Sequence, residues 1–163
     1  FILFVIECNV NIKIMEIPRE KAVISICGEF KSILKNSKIS GWLDEQTPRW
    51  GIKLATFDVP GIGSTFDRFS FHLGFDYKNQ SSKLLLSVEN FYQKPNEEKY
   101  ESSGTFSYVR RKTRKIWRKT DNIGEPLQYT DVEIANMLLD QKIEPGQIEK
   151  KILQTIETEQ VYS

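Results

Sequence analysis

"DRFSFHLGFDYKNQSSKLLLSVENFY", residues 67–92, decides the fold. Its first half alternates: Phe69, Phe71, Leu73, Phe75 and Tyr77 share one face, and Arg68, Ser70, His72, Gly74 and Asp76 share the other. A period of two is the pattern of a strand with one buried face. The polar turn "KNQSS" follows, then a second run carrying Leu84, Leu86 and Val88 on one face. Two such runs joined by a short polar turn read as a β-hairpin. A register pairing Tyr77 with Leu84 and Leu73 with Val88 keeps the apolar faces together, and it sets His72 opposite Glu89.

Outward from the hairpin the strands continue. Upstream, "RWGIKLATFDV" (49–59) alternates through Trp50, Ile52 and Leu54, and "PGIGS" (60–64) breaks the chain. Downstream, "QKPNEEKYESS" (93–103) reads as a long polar loop, and the chain re-enters a strand through Phe106, Tyr108 and Val109. "TDNIGEPLQ" (120–128) is another break.

Helices are expected at both ends. In "IPREKAVISICGEFKSILKN" (17–36), Val23, Ile26, Cys27, Phe30, Ile33 and Leu34 recur at three-and-four spacing, with Lys21, Glu29, Lys31 and Lys35 on the rest of the wheel. Pro18 suits the entry turn. Gly28 inside this helix costs about 1 kcal/mol relative to Ala, so a close helix–sheet contact is expected there. At the other end Thr130 and Glu133 spell a capping box. Helices are expected at about 131–142 and 145–159, separated by "IEPG" (143–146). Before all of this, Ile2, Phe4, Ile6, Cys8, Val10, Ile12 and Ile14 alternate as a further strand. Met15 is a candidate start, which would make residues 1–14 an extension. The expected order is β-α-β-β-β-β-α-α. This is one α+β domain over residues 1–163: an antiparallel sheet of four to five strands with helices on one face. Residues 15–120 form its core and residues 121–163 an acidic helical hairpin.

Composition narrows the function. A chain of 163 residues with 39% hydrophobic content supports one proper core. Two cysteines, Cys8 and Cys27, make no disulfide framework and read as buried thiols of a reducing, intracellular compartment. With one histidine and no cysteine pair at ligand spacing, no metal or cofactor is expected. The six-residue apolar run at the start is too short to span a membrane, which takes about 20 residues.

Charge is the informative feature. The chain nets +1, but residues 1–109 net 0, residues 110–120 net +7 and residues 121–163 net −6. Within "YVRRKTRKIWRKT" (108–120) lie Arg110, Arg111, Lys112, Arg114, Lys115, Arg118 and Lys119, around Trp117 and after Tyr108. Lys and Arg in number suit phosphate, and aromatics among them offer stacking to unpaired bases. A continuous strand would put Tyr108, Arg110, Lys112 and Arg114 on one face. Three readings compete: nucleic-acid or other polyanion contact, pairing with the acidic tail, and charge protection of an edge strand. The first ranks highest, because seven positive charges exceed what edge protection needs.

Other candidates are weaker. His72 beside Glu89 is a conceivable general acid–base pair, though more often a surface cross-strand pair. "PGIGS" lacks the GKS/T and GxGxxG signatures of phosphate loops. The terminal helix pair lacks the basic face of a DNA-reading helix. "KLLLSVENFYQKPNEE" (83–98) resembles the central strand and following loop of positive-cofactor-type single-stranded-DNA-binding coactivators; the likeness covers sixteen residues, and the basic run lies downstream of it rather than in that family's compact layout. The leading expectation is a non-catalytic, mainly sequence-nonspecific nucleic-acid-binding accessory protein. The alternatives are a protein-interaction subunit docking through its basic strand and acidic helices, and, more weakly, a small enzyme built on His72 and Glu89.

Overall fold

The alternating run at residues 67–92 becomes the centre of a six-stranded antiparallel sheet. The computed structural model describes residues 17–36, 38–39, 51–76, 81–120 and 127–162, without the side chains of residues 76 and 159–162. In chain order the elements are α1 (Arg19–Lys35), β1 (Ile52–Pro60), β2 (Thr65–Asp76), β3 (Ser81–Gln93), β4 (Tyr100–Arg111), β5 (Ile116–Lys119), β6 (Gln128–Thr130), α2 (Asp131–Asp140) and α3 (Gln147–Tyr162). The strands lie side by side in chain order, as a meander. The α+β expectation holds, with six strands after α1 where four were expected. The extra pair arises because the basic run folds into a hairpin and Gln128–Thr130 pairs with it. The strand expected at residues 1–14, with Cys8, lies outside the described residues.

The central hairpin takes a tighter register than expected. Phe69 faces Val88, Phe71 faces Leu86 and Leu73 faces Leu84, with Asp76 opposite Ser81 at the turn. Here every buried apolar residue of β2 meets one of β3, whereas the expected register set Phe71 against Asn90. The shift is four residues, an even number, so the faces are unchanged while the partners are not. His72 therefore lies opposite Leu85, and Glu89 opposite Arg68.

The three helices described above contribute to one core against one face of the sheet. Phe71, Leu73, Leu84, Leu86 and Trp117 of the strands pack with Ile26, Phe30 and Ile33 of α1, Ile134 and Leu138 of α2, and Ile148, Ile152 and Ile156 of α3. The Phe30 ring meets Trp117 edge-on, centroids 5.0 Å apart. The helix stripes follow the three-and-four spacing of the sequence. The capping box forms as spelled: the Glu133 amide donates to Thr130 Oγ1, and Glu133 Oε1 accepts from the Thr130 amide.

Two expectations for α1 fail. Glu29 is not on the solvent side but 6% exposed, accepting from the amides of Gly146 (2.8 Å) and Glu149 (2.7 Å). It caps the N-terminus of α3 from a neighbouring helix, where orphan amides and the helix dipole favour an anion. Burial nonetheless pushes its carboxyl above the usual 4.5, against the amide bonds that pull it down. Gly146, at φ 89°, makes the turn that presents its amide. Gly28 marks no close contact: a Cβ there would meet nothing within 4 Å.

Candidate nucleic-acid interface

The basic run is a hairpin, not one continuous strand. Arg111 ends β4, Arg114 closes the turn by donating its amide to the Arg111 carbonyl (3.2 Å), and β5 returns with Arg110 opposite Trp117 and Val109 opposite Arg118. Alternation then divides the run between two environments. Tyr108, Arg110 and Trp117 face the helices; Val109, Arg111 and Arg118 face away.

The inward side is built around Asp131. Its carboxylate accepts from Arg110 Nε (2.7 Å) and Nη2 (2.9 Å) and from Trp117 Nε1 (2.8 Å). Arg110 is 2% exposed and Trp117 0%. A buried guanidinium demands a paired anion, and the bidentate fork satisfies both charges at once. The capping box fixes the first turn of α2, and so holds Asp131 against the sheet. Tyr108 is buried too, edge-on to Phe106 and Tyr129. The expected roles of Tyr108, Arg110 and Trp117 in ligand contact are corrected by this burial: no ring face or guanidinium of the three is presented to solvent. Cys27 of α1 is half-buried, and its thiol is pushed above 9.0, chiefly by burial and then by the Asp131 charge.

The outward side carries exposed charge. Lys112, Arg114, Lys115 and Arg118 are exposed, with no acidic partner among the described residues. Arg111 is half-buried on this side; Lys119, opposite Tyr108, is half-buried on the helix-facing side, its ammonium 4.9 Å from the Phe106 ring centre. Arg111, Arg114 and Arg118 rim a shallow depression with Val109, Ile116 and Gln128. Three arginines lining one depression suit a phosphate or another multi-oxygen anion.

The two bland readings are constrained. Acids of the C-terminal helices pair largely with the α1 region: Asp140 with Arg19 (2.6 Å), Glu157 with Lys38 (3.3 Å), and Glu149 accepts from Ser32 (2.6 Å). Within the run, Arg110 pairs with Asp131. The run is not an edge either, because β4 and β5 are both paired on two sides and β6 is outermost.

The remaining candidates do not assemble. His72 and Glu89 lie on one face but four register positions apart, about 13 Å along the strands. Burial, helped by Lys53, holds His72 below its ordinary 6.5. "PGIGS" closes on itself: the Gly61 amide donates to the Thr65 carbonyl (3.0 Å), and Thr65 Oγ1 donates to the Ile62 carbonyl (2.7 Å). Among the described residues no group of His, Cys, Asp and Glu is arranged to hold a metal ion, and no helix is long and apolar enough to cross a membrane.

Sequence reasoning missed a second feature of the open face. Phe66 stacks on Phe91 (centroids 4.8 Å, planes 13° apart), and Tyr100 meets Phe66 edge-on at 5.0 Å. Phe66 continues the polar face of the alternation, a signal that the sequence did carry. Tyr100 was not readable, because its strand changes parity at a bulge opposite Asn90 and Phe91. In comparisons with protein-family models, curated proteins and solved structures, nothing matches this chain.

Proposed function

We propose that this protein is a non-catalytic nucleic-acid-binding accessory protein that contacts phosphates through the outward side of the β4–β5 hairpin. The observation that carries this reading is the exposed set Lys112, Arg114, Lys115 and Arg118 on one short turn and strand, beside the depression that Arg111 helps to rim. Phosphate contact supplies affinity without reading sequence, and no element among the described residues resembles a groove-reading helix. The inward Arg110 and Trp117 support it indirectly, by making the hairpin a rigid platform rather than a flexible arm.

The test is a fluorescence-anisotropy titration with labelled single- and double-stranded oligonucleotides at several salt concentrations. Affinity should fall steeply with salt. The variant Lys112→Gln/Arg114→Gln/Lys115→Gln/Arg118→Gln should flatten that slope on a single strand by about 0.7 for each phosphate it no longer neutralises. No binding at low salt would overturn the reading and leave the hairpin as a protein-docking surface.

A further inference from the structure

We propose that Phe66, Phe91, Tyr100 and Arg68 form a base-stacking site, and that the ligand is a single strand lying along the open face from this cluster to the basic hairpin. The inference rests on the nucleic-acid reading above and names the form of nucleic acid.

The cluster occupies the end of the sheet away from the β4–β5 turn. Phe66 and Phe91 are cross-strand neighbours on the open face. The Arg68 guanidinium lies 5.5 Å from the Phe66 ring centre and 5.1 Å from that of Phe91. Asp58 holds it there through two bonds, from Nε (2.8 Å) and Nη2 (3.2 Å). A guanidinium fixed in this way offers a planar surface on which a base stacks as it does on a ring. Tyr100 is 45% exposed. It reaches this face because β4 is bulged: Asn90 faces Gly104, whereas Phe91 faces Ser102, so Ser103 is the extra residue. Strict alternation from Phe106 and Tyr108 would have turned Tyr100 toward the helices. Bulges re-aim side chains in this way, often beside binding sites.

The same face leads to the basic hairpin. Register runs from Phe91 along β3 to Lys83, which lies opposite Arg111, and Val109 lies opposite Arg118. Eight residues of strand separate Phe91 from Lys83, about 26 Å. The face between bears half-buried Ser87 and Ser107 and buried Ser70, among the larger side chains of His72, Leu85 and Glu89. Duplex bases are already stacked and paired, so exposed rings discriminate for unpaired ones. Among the described residues, the concentrated positive charge lies at the hairpin end. At the cluster, Arg68 is balanced by Asp58, Lys94 by Glu101 (3.1 Å), and Glu89 lies opposite Arg68. Stacking there should therefore be nearly independent of salt, while the hairpin carries the salt dependence.

That separation provides the test. The full chain and its Tyr100→Ala, Tyr100→Trp and Phe91→Leu variants are titrated by anisotropy against labelled oligothymidylate of about 10 nucleotides, within the range of such site sizes, and against a duplex of the same length. Tyr100→Ala should weaken single-strand binding about tenfold with an unchanged salt slope, Tyr100→Trp should restore it, and duplex binding should not move. Phe91→Leu, which keeps an apolar side chain in the sheet, should weaken it in the same sense. Salt-dependent binding that is equal for single strand and duplex, and indifferent to Tyr100, would overturn the stacking site while leaving the phosphate reading intact. Absence of all binding at low salt would overturn both.

Discussion

Arg110 and Arg118 belong to one basic run, and their environments are opposite. Arg110 lies under α2, fixed by the Asp131 carboxylate that also accepts from Trp117. Arg118 lies on the far side of the same hairpin, exposed beside a depression rimmed by two more arginines. A positive charge in the sequence therefore has two meanings, and strand parity chooses between them. Inward charge holds the fold; outward charge is available to a ligand.

That contrast can be broken in order of expected effect. The largest belongs to Asp131→Ala, which leaves the Arg110 charge buried and unpaired. Denaturant unfolding should show a loss of about 3–5 kcal/mol, the cost typical of breaking a buried pair. A loss below about 1 kcal/mol, the range of an exposed pair, would mean that water reaches Arg110 and that the two sides of the hairpin differ less than they do here.

Next is Glu29→Gln, another inward charge. Its amide would turn a donor toward one of the α3 amides that the carboxylate now accepts from. A loss of about 1–3 kcal/mol is expected in the same measurement, the range for a buried donor left unsatisfied. A neutral result would show that α3 keeps its N-terminus without this cap.

Gly28→Ala should move stability the other way, by up to about 1 kcal/mol, because the site is exposed helix with open space at the Cβ position. A thermal melt that falls instead would reveal a close neighbour at that face of α1.

The smallest effect on stability belongs to the outward charges. Arg114→Gln with Arg118→Gln should change unfolding free energy by no more than about 0.5 kcal/mol, as exposed substitutions usually do. If these variants unfold as readily as Asp131→Ala, the inward–outward division is wrong.

Much of this was legible beforehand. The faces of β2 and β3, the stripe of α1 and the Thr130–Glu133 cap all follow from spacing within a few residues, where strand and helix geometry act directly. The concentration of charge at residues 110–120 was equally plain. What misled was the assumption that this run continues as one strand. Its turn at residues 112–115 carries no Gly or Pro, so no local signal marked the reversal. Tyr100 eluded the reading for a related reason: the bulge that re-aims it is a property of two paired strands.

By itself the sequence determined the helices and the central strands, which of their faces are apolar, and where the positive charge is concentrated, but not β5 or β6. These depend on neighbours two to four positions away along the chain. Only the tertiary structure decided that Phe71 meets Leu86, that Arg110 and Trp117 close on Asp131, that Glu29 caps a helix over a hundred residues downstream, and that Tyr100 joins Phe66 and Phe91. The physical reason is that these partners are remote in sequence. Their pairing is selected by register and by the need to satisfy every buried charge and amide at once, conditions that exist only when the sheet and its helices are packed together.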